Sequence, residues 1–103
     1  MTALEIREWD NPKDEERLKE LYRTRGAFYA YLQKKLDEGS FTYMKRWTDG
    51  IGHLICIIEY ASLDDFARTW KDPEYNELWV RAARKCDNMT CRVFRTTMSV
   101  PPN

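Results

Sequence analysis

The sequence lacks an excess of either charge: 17 Lys and Arg side chains balance 17 Asp and Glu over 103 residues. A general nucleic-acid binder presents a basic face, so no nucleic-acid partner is expected. Long apolar runs are missing too. The stretch Leu54 to Ile58 falls far short of the roughly 18 residues a membrane-spanning helix needs, and no membrane partner is expected. Cys56, Cys86 and Cys91 are odd in number and contain no C-x-x-C pair. With no charged-then-apolar leader at the start, they point to a reducing, cytoplasmic location. The chain has one histidine, His53. One histidine and scattered cysteines do not make a four-ligand shell, so no metal is expected. There is no Gly-rich phosphate loop, no nucleophile elbow and no H-E-x-x-H, and no cofactor is expected.

What is present is a globular balance, 43% hydrophobic and 33% charged, with four Trp, six Tyr and four Phe. A single domain of this size buries only about 60–65% of the surface its unfolded chain exposes. The aromatic content is therefore generous for one core. Cys56 sits in the most apolar segment, where a free thiol acts as a small hydrophobe. Cys86 falls near a helix C-terminus, whose partial negative charge raises a thiol pKa. All three cysteines read as structural.

Strand and helix patterns alternate along residues 1–98, read as one domain, with 99–103 as a tail. Ala3 to Trp9 reads as a strand. Asn11-Pro12-Lys13-Asp14 opens a helix, with Asn11 as its cap and Pro12 at the first helical position. Leu18, Leu21, Tyr22, Arg25, Tyr29, Leu32 and Leu36 recur as its amphipathic stripe, with a kink expected near Gly26 and a stop at Gly39. Phe41 to Thr48 and Gly52 to Tyr60 form a hairpin across Thr48-Asp49-Gly50. Ser62-Leu63-Asp64-Asp65 is a capping box, and its helix breaks at Asp72-Pro73, where another begins. That helix ends near Asp87-Asn88, and Met89 to Met98 is the last strand.

This βαββαβ order is ferredoxin-like, an α+β fold with an antiparallel four-stranded sheet and helices on one face. The alternation assigns Leu4, Ile6, Leu54, Cys56, Ile58, Cys91 and Val93 to the helix-covered core. The opposite face then carries Ile55, Ile57, Phe94 and Met98 with Glu5, Arg7, His53, Glu59 and Arg92, joined by Tyr43 and Trp47. Apolar side chains at about 1.5–3 kcal/mol each are too costly to leave in water, which predicts a homodimer packed sheet to sheet. Assembly beyond the dimer stays open.

The order, with Glu59-Tyr60-Ala61-Ser62-Leu63-Asp64-Asp65-Phe66 and Asp72-Pro73-Glu74-Tyr75, resembles the dimeric α/β-barrel superfamily, in its antibiotic-biosynthesis-monooxygenase and NIPSNAP-like branches. The resemblance implies two ferredoxin-like subunits forming a barrel around a pocket. It also implies small-molecule activities such as cofactor-independent oxygenation of aromatic polyketides, haem degradation, isomerisation or dehalogenation, alongside members of no known activity. Haem-degrading relatives use a His a few residues past the break; here that region reads Tyr75, Asn76, Glu77, Leu78, Trp79. Haem ligation of that kind is therefore not expected. NIPSNAP-like members carry a longer helix before Asp-Pro and a His near the position of Cys56, and neither appears.

His53 is either an acid/base group in the pocket or a rim residue satisfied by backbone and water. Arg7, Glu59 and Arg92 form either a polar pocket for an anionic or phenolic ligand or an ion-pair network fixing dimer register. In the functional reading His53 is the acid/base, Arg7 and Arg92 stabilise an anion or enolate, and Tyr43, Trp47, Glu59 and Phe94 hold the ligand. The protein is then a homodimeric small-molecule binder, as a monooxygenase-like enzyme without haem or metal or as a non-catalytic binding and assembly module. Trp70 and Trp79 read as core or interface.

Overall fold

The computed structural model describes residues 2–98. Its elements are β1 (Ala3–Asp10), α1 (Glu15–Asp37), β2 (Phe41–Thr48), β3 (His53–Tyr60), α2 (Leu63–Lys71), α3 (Pro73–Lys85) and β4 (Asp87–Arg95). The strands form one antiparallel sheet in the order β2-β3-β1-β4, the ferredoxin-like arrangement. α1 packs on β2 and α3, α2 on β3, and α3 on β4, so the helices share one face. The tail expected at 99–103 lies outside the described residues.

Local chemistry explains most boundaries. The cap of α1 is Asp14, whose side chain accepts from the Glu16 amide at 3.0 Å, not the expected Asn11. A carboxylate in that position also meets the positive end of the helix. α1 runs unbroken through Gly26 and stops where Gly39 takes φ +80°, a conformation that a Cβ disfavours. Ser62 caps α2 through the Asp65 amide at 3.1 Å and donates to the Asp65 carboxylate at 2.7 Å. Asp72 caps α3 through the Glu74 amide at 3.0 Å and accepts from the Tyr31 hydroxyl at 2.6 Å, tying the break to α1. At the β2–β3 hairpin, Asp49 Oδ1 accepts from the Ile51 and His53 amides at 2.9 and 3.1 Å.

The faces of β1 are reversed from the expectation. Ala3, Glu5, Arg7 and Trp9 point toward the helices, opposite Tyr60, Ile58, Cys56 and Leu54 of β3. Leu4 and Ile6 lie on the outer face, opposite Glu59 and Ile57. The reason is energetic: donors must offset the cost of burying a carboxylate, and those that satisfy Glu5, from Tyr60, Trp70 and Tyr75, lie on the helix side. β3 and β4 keep their expected faces, but Cys91 and Val93 are exposed because the helices leave this part of the β4 edge uncovered. β4 also ends at Arg95, short of Met98.

Candidate functional site: a cavity between sheet and α1

The inner face of the sheet, α1 and α3 enclose a cavity of about 600 Å³. Its floor is buried: Leu32, Cys56, Trp79 and Cys86. Trp9, Leu54 and Met44 line it from the sheet, Leu21, Phe28 and Tyr29 from α1, and Ala82 from α3. The mouth is formed by the exposed side chains of Tyr22 and Arg25 on α1 and Arg46 and Trp47 on β2. Among the described residues its lining holds two arginines and no Asp, Glu or His.

The floor is rigidly built. The Phe28 ring meets the Trp79 indole edge-on at 4.4 Å between centroids, and Trp9 and Tyr75 approach it at 6.1 and 6.2 Å. Edge-to-face contacts of this kind fix ring orientation. Burial pushes the Cys56 thiol up to about 12 and the Cys86 thiol up to about 11, leaving both neutral and weakly nucleophilic at neutral pH. Tyr29 Oη and Trp79 Nε1 are buried without a hydrogen-bond partner among the described residues. Each orphaned group costs roughly 1–3 kcal/mol, and both belong to side chains lining the cavity.

Behind this floor Glu5 is completely buried, at 0% exposure. It accepts from Arg7 Nε at 2.6 Å, Tyr60 Oη at 2.6 Å, Tyr75 Oη at 2.6 Å and Trp70 Nε1 at 2.8 Å. Four donors use the acceptor capacity of one carboxylate. Burial pushes the Tyr60 and Tyr75 phenols well above their usual range, with Glu5 adding to it, so both are donors throughout neutral pH. Burial opposes the Arg7 charge, and Glu5 more than offsets that.

The remaining expected site residues lie on the other side of the sheet. His53 Nδ1 is 2.7 Å from Asp10 Oδ1 and its Nε2 is 3.1 Å from Glu8 Oε2, on the outer face at the hairpin end of β3. Arg92 reaches Glu8 at 3.8 Å, and the Thr42 hydroxyl donates to Glu59 at 2.6 Å. Tyr43 and Trp47 pair with Glu59 and Ile55 on this face, and Phe94 with Leu4. Only Trp47, at the free sheet edge, also lines the cavity. A smaller hollow of about 230 Å³ beside His53 is bounded by Trp47, Thr48, Asp49 and Ile55. Arg7, expected near Glu59 and Arg92, is separated from both by the sheet.

Every lining residue but Trp47 escaped the sequence reading as a ligand contact, Arg25, Tyr29, Arg46 and Trp79 among them. The signal was there in α1, because Arg25 and Tyr29 stand inside the stripe that also holds Leu21 and Leu32. A cation in a helix's inward stripe needs either a partner or a cavity.

No protein-family model and no curated protein sequence matches the chain. Solved structures do match it in shape. SnoaB, a cofactor-independent oxygenase from Streptomyces nogalater, superposes with TM-score 0.69 at 11% identity over 98% of each chain. The hydroxynitrile lyase of Passiflora edulis gives TM-score 0.67 at 13% identity over 97% of each chain. A dimeric protein of ferredoxin-like fold from Bacteroides fragilis gives 0.62 at 18% identity, over 92% of this chain and 96% of that one. The chain therefore has the ferredoxin-like fold that antibiotic-biosynthesis-monooxygenase structures also adopt.

Proposed function

We propose that the protein binds a small aromatic molecule in the cavity between the sheet and α1, as one subunit of a homodimer joined through the outer sheet faces. The observation that carries this reading is the cavity itself. Its 600 Å³ lies within the roughly 300–1,000 Å³ typical of small-molecule sites, with aromatic walls and few polar groups. SnoaB and the Passiflora lyase, both enzymes by description, lend support to a small-molecule role, and their different reactions leave the chemistry unselected by the fold. In this reading Trp47 is a cavity wall and Arg7 acts behind the floor through Trp79. His53, Arg92, Tyr43, Glu59 and Phe94 belong to the seam between subunits.

Among the described residues the lining supplies no carboxylate or imidazole, so an oxygenation of the cofactor-independent kind would start from a ligand that arrives ionised. The same lining favours the second reading, a binding module without catalysis.

Trp9, Trp47 and Trp79 border the cavity, which makes indole emission the direct probe. Titration with 2-naphthamide is expected to change emission saturably, and Ala82→Phe, which fills the cavity from α3, is expected to abolish the change. A titration flat to millimolar for 2-naphthamide and for the corresponding carboxylate 2-naphthoate alike, or one indifferent to Ala82→Phe, sinks the reading.

A further inference from the structure

The charge of the cavity lining departs from that of the chain. The protein as a whole is neutral, yet the lining carries two guanidinium groups and, among the described residues, no acid. The other arginines and lysines of α1 have acidic neighbours: Arg17 reaches Asp87, Lys19 reaches Glu16, Arg23 reaches Glu20, and Lys34 and Lys35 reach Glu38. Arg25 and Arg46 make no ion pair with any described residue. Instead they rest on aromatic rings. Arg25 Cζ lies 4.8 Å from the Tyr22 centroid, and Arg46 Cζ lies 5.2 Å from that of Tyr29.

Tyr22, Arg25 and Tyr29 are spaced by three and four residues, so they share one face of α1. Arg46 comes across from β2 onto that same face. Stacking on the rings holds both planar groups at the cavity mouth, with their N–H edges left over for a guest. The Tyr29 hydroxyl, buried and without a partner among the described residues, belongs to the same lining and adds a third donor.

We propose that Arg25, Arg46 and Tyr29 form an anion subsite, and that the ligand class of the cavity is an aromatic carboxylate, its ring against Trp79 and Phe28 and its carboxylate at the mouth. This inference rests on the cavity being a binding site. A carboxylate matches the fork geometry of a guanidinium and supplies the acceptor that Tyr29 lacks. A neutral aromatic ligand fills the same walls and leaves the mouth charges unanswered.

The test compares 2-naphthoate with 2-naphthamide, which share ring and shape and differ in charge, by tryptophan emission and calorimetry at low salt. Wild type is expected to bind naphthoate about tenfold or more tighter, the effect of charge-assisted hydrogen bonds, with the preference shrinking as salt rises. In the Arg25→Gln/Arg46→Gln double variant the ratio should fall to about one. Arg23→Gln, which removes an α1 arginine outside the cavity, should keep the ratio, so that net charge alone is separated from the subsite. Equal affinities in wild type, or a preference that survives the double variant, overturn the subsite while leaving the cavity reading intact. If neither probe binds, the cavity reading falls and the subsite with it.

Discussion

The guanidinium of Arg7 lies over the Trp79 indole, 4.0 Å from the ring centroid, while its Nε donates to Glu5 at 2.6 Å. A buried charge pair thus stands directly behind the cavity floor. Because Glu5 also accepts from Tyr60 on β3, Trp70 on α2 and Tyr75 on α3, one carboxylate ties the sheet to two helices.

Removing one member of such a network is costlier than removing both charges. Glu5→Ala leaves Arg7 unpaired and takes the carboxylate acceptor away from Tyr60, Trp70 and Tyr75, and is expected to cost about 3–5 kcal/mol in urea unfolding. Glu5→Met combined with Arg7→Met should recover only the part due to the unpaired guanidinium, since Tyr60, Trp70 and Tyr75 still lack the carboxylate that accepts from them. A Glu5→Ala protein within about 1 kcal/mol of wild type, an ordinary surface-mutation effect, would show that the network is not closed as described.

The sequence made the element order, the hairpin and the Asp72-Pro73 break legible because each rests on local chemistry: caps, turn carboxylates, a proline. It misled on β1. Leu4 and Ile6 alternate with Glu5 and Arg7, and apolar-inward is the ordinary assignment. The deciding groups, Tyr60, Trp70 and Tyr75, lie 55 to 70 residues away in sequence, and no local pattern announces them. The error hid the candidate site as well. With Arg7 assigned outward, the polar set was sought around His53, while the lined cavity formed on the other side of the sheet. What reversed β1 also enriched the outer face, since Leu4 and Ile6 now join Ile55 and Ile57 there.

His53 offers a pH observable free of overlap, being the chain's one histidine. Hydrogen bonding to Asp10, then to Glu8, raises its pKa above the ordinary 6.5. The folded value exceeds the unfolded one, so the stabilisation is fully present below about pH 6.5 and is lost as pH rises through the folded value. Asp10 moves the other way, its pKa lowered by Asn88 and His53, so its contribution is lost as pH falls through its depressed folded value. The imidazole resonances should titrate with a midpoint above about 6.5, and Asp10→Asn should bring that midpoint down. An unshifted midpoint in wild type would remove the Asp10–His53–Glu8 arrangement.

The thiols should separate by accessibility. Cys91 is exposed, whereas Cys56 and Cys86 are buried and held protonated. A disulfide reagent at pH 8 is expected to modify one thiol in the native protein and the other two only after denaturation, as counted by intact mass. Cys91→Ser should abolish the native reaction. Rapid labelling of all three would mean that the cavity floor opens readily.

The proposed homodimer predicts that subunits associate through the outer face. Ile6 and Ile57 pair across the two central strands, with Ile55 and Leu4 adjacent, and Trp47 and Phe94 at the flanks are 47% and 48% exposed. Each such group gains about 1.5–3 kcal/mol on full burial, so several together outweigh the entropy of joining two chains only if they are covered as one patch. A second copy of the same face does this, and the charged Glu8, His53 and Arg92 at its margin then fix orientation. Light scattering at micromolar concentration is expected to give twice the 12.4 kDa chain mass. Ile57→Lys should yield a folded monomer, with circular dichroism unchanged and 2-naphthamide binding retained, because the cavity lies on the opposite face. A wild-type monomer would refute sheet-to-sheet pairing, and a dimer untouched by Ile57→Lys would move the seam to the β2 or β4 edge.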